Sequence, residues 1–287
     1  MNYYELAVKR KSSRAFKNRV AAERQLLNFW NYYPDCRKLV SEPKVKLRVY
    51  GSETAKLLEG CAGYHGLMIE APHYFAILTE PGEYDLENAG YVAEDLVLKL
   101  TDLDLATCWI TITDPEEVGK RLRIPEGFRT AALVAFGCEK PVRNLTRLDI
   151  QSPSVVTLKK RTGYVAPKLF VDDAVYLERW GQQSHVSSLM NFDTSFSKAI
   201  VAACCAPSYL NRQPYRFILD ENRLHLISIP DELTTPDDAR LNLGIVMLHL
   251  DAVMASYSSM YGPWTLGAPE KQYQLPEGAY IVGSYHI

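Results

Sequence analysis

The sequence predicts an α+β fold of two degenerate halves. Three observations carry this reading. Helix and strand patterns alternate along the whole of the 287 residues. A weak internal repeat links the halves: Ile124-Pro125-Glu126-Gly127 precedes the apolar run Ala131–Gly137, and Leu275-Pro276-Glu277-Gly278 precedes Ala279–Gly283. Each of these runs follows a long apolar helix pattern and a tryptophan, Trp109 or Trp264. Lastly, two compact polar motifs occur once each, in opposite halves: Arg10-Lys11-Ser12-Ser13-Arg14, and the stretch Ala206-Pro207-Ser208-Tyr209-Leu210-Asn211-Arg212-Gln213-Pro214.

In chain order, apolar spacing predicts helices over Tyr3–Arg10 and Ala22–Tyr32. A short strand follows at Lys46–Tyr50, then a helix at Thr54–Ala62. Pro72 breaks the chain before a strand at Tyr74–Thr79. Tyr91–Leu105 is a helix whose apolar face is Val92, Leu96, Val97, Leu100 and Leu103. Asp114-Pro115-Glu116-Glu117 opens another, with Asp as N-cap, Pro at the first position and acids in the first turn. Thr130–Cys138 is apolar almost throughout, as expected of a strand covered on both faces. In the second half a helix spans Phe196–Cys205 and ends at Pro207. Phe217–Leu219 and Leu224–Ile229 form a hairpin around Asp220-Glu221-Asn222-Arg223. Leu241–Tyr257 is a second long helix and Ala279–Tyr285 the closing strand. This divides the chain into a first half at 1–142, a polar, irregular connecting segment at 143–189 that wraps around the body, and a second half at 190–287.

Composition narrows the function classes. A net charge of −2 provides no global basic field, so nucleic acid and anionic membrane are not expected partners. No apolar run is long enough to span a bilayer, and Met1-Asn2-Tyr3-Tyr4-Glu5 does not begin a signal peptide, so a cytoplasmic location is expected. The six cysteines contain no Cys-x-x-Cys pair and no nearby histidine at zinc-ligand spacing, so no metal site is expected. Adjacent Cys204 and Cys205 fit either a redox pair or plain helix packing. His65, His73, His185, His225, His249 and His286 read as structural or surface residues. The aromatic residues fit either a flat substrate pocket or core packing.

The two motifs have chemistry of their own. Arg10, Lys11 and Arg14 with Ser12 and Ser13 set three cations and two hydroxyls at a helix end. Arginine's planar fork suits phosphate. The same residues equally fit a solvated basic helix end interacting with the helix dipole. Ser208, Asn211 and Gln213 can donate to carbonyls or a pyrimidine ring, or they can satisfy the backbone of a helix-to-strand turn.

Taken together the motifs resemble the two flavin-binding motifs of the FMN-dependent nitroreductase family. The likeness extends to Gly90–Ile110, similar to the family's central helix and following strand, to Thr130–Pro141, similar to its last core strand, and to the basic run Lys159-Lys160-Arg161. Family subunits carry both motifs and share flavins across a dimer interface. One copy of each motif in opposite halves therefore implies a nitroreductase-like intrachain pseudo-dimer, each half a mainly antiparallel sheet flanked by helices, similar to the branch in which two degenerate halves share one chain. The resemblance implies that Arg10, Lys11 and Ser12 meet the FMN phosphate or ribityl chain, with Lys159 and Arg161 adding charge. It places Arg14 at the flavin pyrimidine, and Pro207, Ser208, Tyr209 and Asn211 against the ribityl chain and ring edge from the opposite half. Backbone at Trp109 and Ile110 would approach the ring.

Asn31-Tyr32-Tyr33-Pro34-Asp35-Cys36 stands where a second Pro-Ser…Asn motif is expected, and the second half has no Arg-x-Ser-x-Arg match. The mirrored site is thus expected to be dead. The implied activity is hydride transfer from NADH or NADPH through FMN to a small electrophilic acceptor, with no catalytic acid or nucleophile. The alternatives are other flavin chemistry, such as dehalogenation or flavin breakdown, and a non-catalytic flavin-binding protein. A monomer is expected, with a homodimer as the alternative assembly.

Overall fold

The computed structural model describes residues 1–64, 67–140, 145–152, 155–161, 168–183, 194–257 and 262–287; of 145–152 and 155–161 the backbone alone is described. The first half runs α1 (Tyr3–Lys9), α2 (Glu23–Tyr32), β1 (Val45–Gly51), α3 (Thr54–Leu57), β2 (His73–Thr79), α4 (Asp85–Asp102), β3 (Ala106–Ile110), α5 (Pro115–Arg121) and β4 (Arg129–Gly137). Its sheet is antiparallel throughout, in the order β1-β2-β4-β3. Both faces are covered, which explains the unbroken apolar runs. Phe75, Ile77, Val134 and Phe136 pack with Leu96 and Val97 of α4, while Tyr74, Ala76, Leu133 and Ala135 pack with Leu58 and Val118 on the other face.

A hairpin, β5 (Leu145–Ser152) and β6 (Val155–Arg161), then α6 (Val171–Ala174) and β7 (Val175–Leu177) lead to the second half. That half contains α7 (Thr194–Cys205), β8 (Tyr215–Asp220), β9 (Arg223–Ser228), α8 (Pro236–Tyr257), β10 (Thr265–Leu266) and β11 (Tyr280–His286). Its sheet runs β7-β8-β9-β11-β10, antiparallel except for the parallel pair of β7 with β8. Without β7, the strand order repeats that of the first sheet: first, second, fourth, third.

The repeat in the sequence has a structural counterpart. Before β4, Phe128 N–H donates to the Pro125 carbonyl (3.2 Å) with Gly127 at φ 79°; before β11, Ala279 N–H donates to the Pro276 carbonyl (3.0 Å) with Gly278 at φ 74°. Both turns require a left-handed residue, which glycine adopts without steric cost. The long helices α4 and α8 cross at two further glycines. A Cβ on Gly90 would overlap the Leu241 carbonyl oxygen, and a Cβ on Gly244 would overlap that of Glu87. Leu241 lies one turn before Gly244 and Glu87 one turn before Gly90. The contact is therefore reciprocal, as across a two-fold axis.

Three expectations need correction. The helix expected to begin at Tyr91 begins at Asp85, because its first turn is acidic and polar rather than apolar; Asp85 and Glu87 face Arg240. The helix expected to reach Ala62 stops at Leu57, and the chain then turns through Gly60 (φ 85°) and Gly63 (φ 97°). The segment expected to be irregular holds a hairpin, a helical turn and a strand added at the edge of the second sheet. The boundaries proposed at 142/143 and 189/190 fall outside the described residues, as do Pro153, Gly163, Pro167, His65 and His185. All six cysteines are free. Cys204 is buried, and burial pushes its thiol up to about 12, consistent with packing rather than exchange. Among the described residues no helix is long and apolar enough to cross a membrane.

Candidate functional site between the halves

The basic motif begins where α1 ends. Asn2 caps that helix by accepting from Glu5 N–H (3.3 Å), and at Arg10 the backbone turns extended, φ −60° and ψ 131°. The chain then runs beside β3: Ser12 pairs in parallel with Thr107, and Ser13 N–H donates to the Thr107 carbonyl (2.9 Å). This lays the motif alongside the strand that carries Trp109 and Ile110. Lys11 pairs with Glu139 (2.9 Å), which also accepts from Ser13 Oγ (2.8 Å). Ser12 and Arg14 are exposed.

Arg10 is not the solvated helix-end cation that the sequence allows. Its side chain is 4% exposed, with Nε 3.6 Å from Glu94 Oε1. That is too long for a hydrogen bond, and Arg10 Nε has no partner among the described residues.

The second motif follows α7. Ser208 is extended, and Tyr209–Asn211 form a single 3-10 turn. Leu210 (φ 47°), Asn211 (φ 57°) and Gln213 (φ 49°) all occupy the left-handed region, which costs energy for residues with a side chain. The surroundings hold them there. Gln213 Nε2 donates to the Cys204 carbonyl (2.7 Å), Gln213 N–H to Ser208 Oγ (2.8 Å), and Tyr209 N–H to Asn242 Oδ1 (3.1 Å). Gln213 and the acceptor side of Ser208 thus shape the turn. Pro207 is buried beneath it.

Lys168, which the sequence reading missed, ties the motifs together. Its Nζ donates to Asn211 Oδ1 (3.1 Å) and to the Ala206 carbonyl (3.3 Å). Burial, and then the charge of Arg10, hold the Lys168 ammonium down to about 8. Lys168, beside the Pro-Ser…Asn turn, is therefore near enough to Arg10 of the basic motif for the two charges to repel. Glu94 was missed as well, for it sits within an apolar helix pattern. It accepts from Trp109 Nε1 on Oε2 (2.9 Å) and meets His249 Nε2 on Oε1 (2.9 Å). Ile110 is buried in the cluster with Phe16, Cys108 and Leu133. Lys159 and Arg161 lie on β6 opposite Arg147 and Leu145, and their side chains are outside the described residues.

The arrangement can do one thing chemically. It places positive charge from Arg10 and Lys168 near the Pro-Ser…Asn turn, a setting for an anionic ligand.

Comparison with known proteins gives a consistent picture. A crystal structure described as a "putative nitroreductase" from Thermotoga maritima MSB8 has the same fold, with a TM-score of 0.58 at 16% identity over 99% of this chain and 92% of that one. A nitroreductase family protein from Clostridium novyi NT aligns with 48% of this chain and 87% of its own (TM-score 0.43, 23% identity). An FMN-dependent nitroreductase from Clostridium difficile R20291 aligns with 48% and 88% (TM-score 0.44, 18% identity). No curated protein matches the chain. The family model described as "Putative TM nitroreductase" matches residues 2–254, and the chain belongs to that family.

Proposed function

We propose that the protein is an FMN-dependent oxidoreductase of the nitroreductase type, taking hydride from NADH or NADPH and reducing a small electrophile such as a nitro compound or quinone. The observation that carries this reading is the charge at the seam. The buried Arg10 and the half-buried Lys168 bring positive charge there. The nearest carboxylate, Glu94, is engaged by Trp109 and His249 and meets Arg10 Nε at 3.6 Å, without a hydrogen bond. A buried cation with an unmet donor favours an anionic acceptor, and FMN carries one terminal phosphate. No Gly-x-Gly-x-x-Gly fingerprint for a dinucleotide is present in the sequence.

In this reading Arg10, Lys11 and Ser12, with Lys159 and Arg161, hold the phosphate and ribityl oxygens, and Lys168 adds a charge. Arg14 faces the pyrimidine, where a cation favours the anionic reduced ring. Pro207, Ser208, Tyr209 and Asn211 contribute from the other half, and the backbone at Trp109–Ile110 lines the ring. When bound, FMN supplies the hydride and electron chemistry; the protein binds, orients and excludes water. The halves 1–142 and 190–287, with the segment 143–189 between them, would form one complete site in a monomer.

The test is direct. Denature the purified protein, identify any released ligand by mass, and titrate the stripped protein with FMN and FAD. The reading expects FMN, bound at micromolar concentration or below, and oxidation of reduced nicotinamide by the loaded protein. Recovery of FAD, or no binding of FMN, would refute it. Binding without turnover would indicate a flavin-binding protein with lost chemistry.

A further inference from the structure

The geometry points to Glu94 and His249 as a positioning pair for the flavin site, an inference that rests on the flavin reading above. Glu94 on α4 and His249 on α8 are fully buried, each 0% exposed. His249 Nδ1 meets only the Ala202 carbonyl (2.9 Å), which can accept but not donate, so Nδ1 donates. His249 Nε2 lies 2.9 Å from Glu94 Oε1, and one proton is shared between them. Glu94 Oε2 accepts from Trp109 Nε1 (2.9 Å), and Arg10 Nε stands 3.6 Å from Oε1.

This chain of contacts reaches the basic motif, β3 and the helix that leads into the Pro-Ser…Asn turn. Ala202 belongs to α7, which leads directly into Pro207–Asn211. His249 couples that helix to Glu94. Glu94 fixes Trp109 on β3 and sits behind Arg10 of the basic motif. With Oε1 engaged by His249 and Oε2 by Trp109, Glu94 stands 3.6 Å from Arg10 Nε, a long ion pair without a hydrogen bond. Loss of His249 would let Glu94 close on Arg10 and draw its guanidinium from the seam. A buried ionic pair of this kind adds little stability over apolar side chains of similar volume. Orientation of both halves toward one ligand is what its geometry achieves.

Two readouts test this. In the ligand-free protein, the indole N–H resonance of Trp109, identified by its loss in Trp109→Phe, should move upfield in Glu94→Gln and shift in His249→Leu. Indole resonances of the other three tryptophans should stay in place. In FMN titrations, His249→Leu should weaken binding about tenfold or more, because Glu94 is freed to close on Arg10. Adding Glu94→Gln to His249→Leu should restore affinity to within about threefold of wild type. His249→Gln, which keeps a donor toward Glu94, should bind like wild type. A merely structural pair predicts the opposite, a double variant weaker than either single one, and that result would overturn the inference. Should His249→Leu fail to fold, an unmoved Trp109 resonance in Glu94→Gln would overturn it equally. Wild-type protein that takes up no FMN would sink the flavin reading, and this inference with it.

Discussion

The two seams of the pseudo-dimer occupy equivalent places and carry opposite charge. His249 lies five residues after the crossing glycine Gly244, and Asp95 five after Gly90. His249 serves the seam of Arg10 and the Pro-Ser…Asn turn. Asp95 serves the mirrored one, near the 3-10 turn Tyr33–Asp35. In the mirrored seam Asp95 accepts from Tyr3 (2.9 Å), Tyr32 (2.8 Å) and Arg37 N–H (2.8 Å). Asp251 there accepts from Arg37 Nη1 (3.2 Å), Tyr285 (3.0 Å) and Tyr91. Two carboxylates surround one guanidinium, and none of these side chains has a buried orphan atom among the described residues. The Arg10 seam instead has two cations, one shared carboxylate and an unmet donor. A phosphate-bearing ligand is attracted to the second arrangement and repelled by the first. Duplicated architecture thus has one seam suited to a ligand and one filled by its own side chains.

The largest expected effect concerns the frame common to both seams. Gly244→Ala should destabilise the protein by about 3 kcal/mol or more, because the new methyl overlaps backbone rather than a movable side chain. Gly90→Ala should behave alike, whereas Gly119→Ala in α5, with nothing within 4 Å, should be neutral or slightly stabilising. Denaturant midpoints of the three variants measure this. Equal tolerance of all three would break the two-fold crossing.

Swapping arginines between the seams sharpens the contrast. Arg10→Ala should weaken FMN binding tenfold or more, since a charge-assisted hydrogen bond contributes about 1.5–3 kcal/mol. Arg37→Ala should leave FMN affinity within about twofold and lower stability by about 1–3 kcal/mol, by depriving Asp95 and Asp251 of a cation. Fluorescence titration and thermal melts read both. An FMN deficit in Arg37→Ala would place the ligand in the mirrored seam.

Lys168 gives the cation-rich seam a pH signature. Its ammonium is held down to about 8, by burial first and then by Arg10. As pH rises through about 8 the charge is lost, so FMN affinity should fall across that range, and Lys168→Met should flatten the profile. The stability sign is opposite. Between the folded value and the ordinary lysine range the unfolded chain binds the extra proton, so ligand-free wild type should gain stability relative to Lys168→Met as pH rises above about 8.

Arg14→Ala should have the smallest effect. Arg14 is exposed, so folding should change by about 1 kcal/mol or less, with a few-fold loss of FMN affinity.

Much of this was legible in the sequence. The core strands announced themselves because both faces of the first sheet are covered, and the repeated Pro-Glu-Gly turns reflected a backbone that needs glycine at positive φ. The motifs located the seam because each combines unusual polar residues with a helix end. Other parts had no local signature. Glu94 and His249 sit among apolar helical residues, and only tertiary contact makes them partners. Lys168 precedes an apolar stretch in a segment with no clear period, and its role comes from the Arg10 it faces across the fold. The start of α4 was hidden because Asp85 and Glu87 find their counter-charges on a helix more than a hundred residues away.

Flavin stoichiometry tests the central claim most directly. Saturate the purified protein with FMN, remove the excess, and measure bound flavin per chain by absorbance, with the particle mass by light scattering. One asymmetric seam in a chain that folds as its own dimer predicts one FMN per chain in a particle of one chain's mass. Two FMN per chain would show that the mirrored seam also binds, and would contradict the account.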